Sequence, residues 1–65
     1  MIENVEEARV YISQFHKLIG RSPITFVDFP DGRIWIKNMD DKQALRVANG
    51  LLAIELEATR KVPRQ

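Results

Sequence analysis

Ser13 and His16 stand three positions apart, and on a helix that spacing puts a hydroxyl beside an imidazole, the pairing that activates a serine nucleophile. The rest of a catalytic constellation is missing. His16 is the chain's one histidine and falls on the edge of an apolar helical stripe, on a convex surface with no loop-built pocket to exclude water. It reads as a boundary residue. Of the two carboxylate pairs, Asp40 with Asp41 reads as charge and capping at a helix start, and Asp28 with Asp31 as turn chemistry. With no Cys and one His there is no thiolate or all-imidazole metal site. Three glycines, each beside an element boundary, turn or packing point, make no phosphate-binding loop. No enzymatic activity, metal or cofactor is expected.

A second group of residues carries binding chemistry. Val27, Phe29 and Trp35 alternate with Arg33 and Lys37 across a short β-rich stretch, so large apolar groups come together with a cationic rim. Such a face serves as a protein contact, in which desolvated aromatics supply most of the energy and the cations flank them. It also serves single-stranded nucleic acid, with Phe29 and Trp35 stacking on bases, Arg33 and Lys37 on phosphates, and the basic residues Arg60, Lys61 and Arg64 adding to them. The balance of charge chooses between these. A net charge of +1 and a pI near 8.2, with acids spread through the whole chain, are unlike a dedicated nucleic-acid binder. Self-contact or contact with another protein is the favoured reading, with nucleic acid and cover of Val27, Phe29 and Trp35 by the chain's own elements as the alternatives.

These residues lie on Ile24 to Asn38, the stretch around which the chain is organised. Phe29-Pro30-Asp31-Gly32-Arg33 has Pro where φ near −65° is wanted and Gly where φ turns positive, and β-branched and aromatic residues flank it. This predicts a β-hairpin over about 24–38 with a three-residue loop closed by a Gly bulge. Phe29 then faces Arg33, and the pairs Asp28–Ile34, Val27–Trp35, Phe26–Ile36 and Thr25–Lys37 follow. Ile24, Phe26, Ile34 and Ile36, with Asp28, are expected on the core face, and Thr25, Val27, Phe29, Arg33, Trp35 and Lys37 on the outer one.

Two helices flank the hairpin. Over 4–19, Val5, Ala8, Ile12, Phe15 and Ile19 recur at alternating steps of three and four, Tyr11 and Leu18 widen the stripe, Asn4 caps the start and Gly20 marks the stop. Over about 40–61, a cap at Asn38 or Asp40, with Gln43 placed to complete a box from Asp40, opens a second helix that ends before Pro63. Asn49-Gly50 is its weak point, because that step also suits a turn into a third strand near Ile54 to Leu56. The helix formers around it favour one continuous helix, with a close packing contact offsetting the cost of about 1 kcal/mol of Gly50. The apolar residues of this helix cover roughly 200° of its circumference, more than one neighbour needs. Leu45, Ala48, Leu52 and Leu56 are therefore candidates for a dimer or partner contact. Glu55 falls in the middle of that arc, so either the arc is contacted only up to about Ile54 or Glu55 is buried with a partner.

The chain has 65 residues and no staple, near the lower limit for folding alone, and a lone hairpin is marginal even on two helices. One small α+β domain over 1–65, α-β-β-α in order and completed by dimerisation, is the expected architecture. The functional expectation is a non-enzymatic, homodimeric protein-interaction module. No apolar run is long enough to span a bilayer and no basic signal-peptide start is present, so no membrane association and a cytoplasmic location are expected.

Overall fold

The computed structural model describes residues 1–60, the last by its backbone alone. Lys61 and Arg64, and the expected helix end at 61, lie outside the described residues.

The carboxamide of Asn4 accepts the Glu7 N–H at 2.9 Å and so satisfies one of the four free donors at the start of helix α1 (Val5–Ile19). At the other end Gly20 adopts φ 67°, and the N–H groups of Gly20 and Arg21 both close on the His16 carbonyl. The chain then enters strand β1 (Phe26–Phe29), turns at Pro30-Asp31 and returns as β2 (Gly32–Trp35), antiparallel to it. A short 3₁₀ turn (Ile36–Asn38) leads to helix α2 (Asp41–Arg60). Of the two cap candidates Asp40 serves, in a reciprocal box: Gln43 N–H donates to the Asp40 carboxylate at 2.8 Å, and Asp40 N–H to the Gln43 amide oxygen at 3.0 Å. The architecture is α+β, with two helices and a two-stranded antiparallel hairpin packed together.

The core follows the helical stripes. Ala8, Ile12 and Phe15 of α1, Ala44, Val47, Ala48 and Leu51 of α2, and Ile34 of β2 form one buried cluster. The alanines let the helices approach closely. Arg9 and Tyr11 project from opposite flanks of α1, yet Arg9 reaches Asp41 at the start of α2 and Tyr11 reaches Glu55 in its last third. The first helix therefore crosses the second rather than running along it. Asn49, midway along α2, holds the segment that leads into α1. Its carboxamide accepts the Ile2 N–H at 2.7 Å and donates to the Ile2 carbonyl at 2.9 Å, with a further bond to the Leu45 carbonyl.

The hairpin register differs from the expected one by one residue. Phe29 pairs with Gly32, Asp28 with Arg33, Val27 with Ile34 and Phe26 with Trp35, and the Ile36 N–H donates to the Thr25 carbonyl at 3.0 Å. The loop is thus two residues, not three, and Gly32, at φ 145°, takes a strand position. The slip leaves β2 as expected and inverts β1. Val27 and Phe29, expected outside, turn inward onto the core, while Phe26 and Asp28, expected inside, face out. The ladder ends at Trp35, so Thr25 meets Ile36 rather than Lys37.

Helix α2 supplies the reason. It runs through Asn49-Gly50 without a break, so no third strand forms at 54–56. A Cβ on Gly50 would stand 3.3 Å from both Cε1 and Cζ of Phe29. Gly50 is a notch in the helix surface, and the Phe29 ring fills it, capped by the Arg46 guanidinium 4.3 Å above the ring centroid. Arg46 in turn holds Asp31 of the turn through two bonds of 2.9 and 2.7 Å.

Gly50→Ala gains helix propensity of about 1 kcal/mol but crowds the ring. It is expected to change stability by well under that amount in the wild-type background, and to stabilise by close to the full amount when Phe29 is replaced by Val. A urea-unfolding double-mutant cycle checks this; equal effects in both backgrounds would exclude the notch as a source of coupling.

Candidate functional site

The outer face of the hairpin is built by the two pairs that the register turns away from the core. Phe26 and Trp35, directly opposite one another, are 36% and 50% exposed and pack with ring centroids 5.2 Å apart at 59°. This tilted geometry suits the quadrupoles of two aromatic rings. Arg33 lies over them, its guanidinium 3.8 Å from the Phe26 centroid and 5.6 Å from that of Trp35. The cross-strand neighbour Asp28 fixes it there, accepting from Nε at 2.7 Å and from Nη2 at 3.3 Å. That hydrogen bond holds the Asp28 carboxyl below its ordinary range and raises the Arg33 guanidinium. The surface is apolar at its centre, with its cation already answered by an acid from the same sheet.

Of the residues expected to act together on this face, Arg33 and Trp35 share it. Lys37 is exposed just beyond, on the 3₁₀ turn, and Val27 and Phe29 lie half-buried beneath. Phe26 and Asp28 complete the face in their place. A weak signal for them existed in the sequence: the observed register, unlike the expected one, sets the opposite charges of Asp28 and Arg33 across from each other.

The candidate contact residues of α2 separate. Ala48 is fully buried in the chain's own core, and Leu45 and Leu52 are half-buried. Leu56 is 54% exposed, with Ile54 beside it at 56%. Glu55 follows the second of its two expected alternatives, half-buried and accepting a hydrogen bond from the Tyr11 hydroxyl. Partial burial, then this bond to a carboxylate, raises the Tyr11 phenol well above its usual value.

Elsewhere, the Ser13 hydroxyl donates to the Val10 carbonyl at 2.8 Å, and His16 borders a hollow of about 130 Å³ between α1 and the strand ends. A wider open groove along α1 is floored by Ile2, Val10 and Tyr11. No described helix is long and apolar enough to cross a membrane. No protein-family model matches this chain, and neither a curated protein nor a solved structure does.

Asp28 and Asp31 are both held below the ordinary carboxylate value, first by the hydrogen bonds from Arg33 and Arg46. A depressed folded-state pKa adds stability that is complete above the unfolded-state value of about 3.9 and disappears as pH falls through the lower, folded one. Stability should therefore decline below about pH 4, and replacing both residues with Asn should flatten that limb. Urea midpoints measured at neutral and strongly acid pH test it; an unchanged slope in the double variant would remove these pairs as its source.

Proposed function

We propose that the protein is a small, non-enzymatic interaction module that works as a homodimer, with the outer face of the hairpin as its contact. The observation that supports this most is the exposed Phe26–Trp35 pair on a sheet of only two strands. The helices cover its inner face, while each of its two strands has only one strand neighbour and so an edge without a strand partner. Two adjacent aromatics, with an Arg beside them, are the residue types that dominate interface energetics once water is excluded. Ile54 and Leu56 give α2 a second exposed apolar surface for the same role.

Binding to nucleic acid, the alternative, draws less support. That reading relied on Phe29 as a stacking platform and on Arg33 as a phosphate contact, but Phe29 lies in the Gly50 notch and Arg33 is paired with Asp28. An ion-paired Arg on an aromatic platform is better matched to a near-neutral face than to a polyanion.

The test is solution mass by light scattering over a concentration series, with the emission of Trp35, the single tryptophan, read on the same samples. The expected result is a rise toward twice the 7.5 kDa chain mass with a blue shift of emission. Trp35→Asp should give a monomer with unchanged helical circular dichroism. A wild-type monomer persisting at about 1 mM, where an association of only −4 kcal/mol is already substantial, would overturn the proposal, as would a dimer indifferent to the substitution.

A further inference from the structure

We infer that the two chains join edge to edge along β2, making one continuous four-stranded antiparallel sheet in which Arg33 of each chain lies opposite the partner's Trp35. This rests on the self-association proposed above and places its contact at the β2 edge, where Arg33 and Trp35 of the outer face meet their counterparts in the second copy.

The backbone provides the first part of the argument. The bond from Ile36 N–H to Thr25 carbonyl, with the ladder register, fixes which residues turn their polar groups toward the other strand. These are Thr25, Val27 and Phe29 on one side and Gly32, Ile34 and Ile36 on the other, since hydrogen-bonded and non-hydrogen-bonded pairs alternate. The N–H groups of Phe26 and Asp28 therefore point to the free edge of β1, and those of Arg33 and Trp35 to the free edge of β2. A two-stranded sheet has both edges open, and an open edge is a template for another strand.

Side chains choose the edge and the register. A two-fold axis at Ile34 puts Arg33 opposite the partner's Trp35 and Trp35 opposite the partner's Arg33. The Arg33 N–H then donates to the partner's Trp35 carbonyl, the Trp35 N–H to the partner's Arg33 carbonyl, and the symmetric bonds follow. On the outer face one row reads Asp28, Arg33, then the partner's Trp35 and the partner's Phe26, and the symmetric row beside it reads the reverse. Each guanidinium sits between its own carboxylate and an aromatic ring of the other chain, so opposite charges and cation–π pairs meet throughout. The two neighbouring registers fail. Centring on Arg33 sets two arginines face to face, and centring on Trp35 sets Arg33 opposite the partner's Lys37. The edge of β1 offers no equivalent, because the only charged residue of that strand is Asp28 and no cation stands there to pair with a partner's carboxylate or ring.

Amide hydrogen exchange followed by NMR at low and high concentration tests this on the intact chain. Formation of the dimer should slow the Arg33 and Trp35 N–H groups by at least about tenfold and leave those of Phe26 and Asp28 unchanged. An isotope-filtered sample of mixed labelled and unlabelled chains should show inter-chain contacts between the Trp35 indole and the Arg33 side chain. A dimer in which Arg33 and Trp35 amides remain fast, or in which Phe26 and Asp28 are protected instead, overturns the edge pairing while leaving self-association standing. A chain that never dimerises removes both.

Discussion

The seating of Phe29 against Gly50 is the contact on which the arrangement of the hairpin depends. A helix interior position without a side chain gives up about 1 kcal/mol of intrinsic helix stability relative to Ala, and here that absence makes room for an aromatic ring at 3.3 Å from the site of the missing Cβ. Once the ring is in place, β1 has no freedom of register. Val27 must follow Phe29 inward, Phe26 and Asp28 must face out, and Asp28 comes opposite Arg33. Arg46, lying over the ring and gripping Asp31, closes the same contact from the turn. These exposed ion pairs contribute little individually; the value of Asp28–Arg33 is geometric, since it spans directly opposite residues of the observed strand pairing.

The crossing of the helices has a comparable logic. Ala8, Ala44 and Ala48 are fully buried, and small side chains at the crossing leave long residues free to reach around it. Arg9 extends to Asp41 on one flank, Tyr11 to Glu55 on the other, and Asn49 takes hold of the backbone of Ile2. None of these is an apolar contact. The buried apolar core fixes that the helices pack, and the polar links around it fix how they lie.

How much of this could be read in the chain depended on whether the determining partner was near in sequence. Both helices, the Asn4 and Gly20 caps, Asp40 as one of two candidate caps, and the buried stripe of α1 are local patterns, and they are readable as such. The hairpin and the inward side of β2 were also evident, and so was the close contact expected at Gly50. The register is not, because the turn residues by themselves suit a three-residue loop, while the deciding contact comes from a helix some twenty positions later. Greater separations along the chain hide the role of Asn49, which by itself suits a turn with Gly50, and leave Glu55 with two alternatives that only Tyr11 resolves. For the outer face, Arg33 and Trp35 were legible from the alternation of β2, whereas Phe26 and Asp28 went with the misplaced strand.

The Ile2–Asn49 clamp has a consequence for the order in which the chain folds. It joins groups 47 positions apart, whereas each helix and the hairpin closes over short separations. Contacts of short range form first, and a link of this range becomes favourable only after its two ends have been brought together by other means. The two-sided amide clasp on Ile2 is thus a late event, a seal set on a helix pair already assembled. Loosening it should speed unfolding while leaving the rate of folding almost untouched.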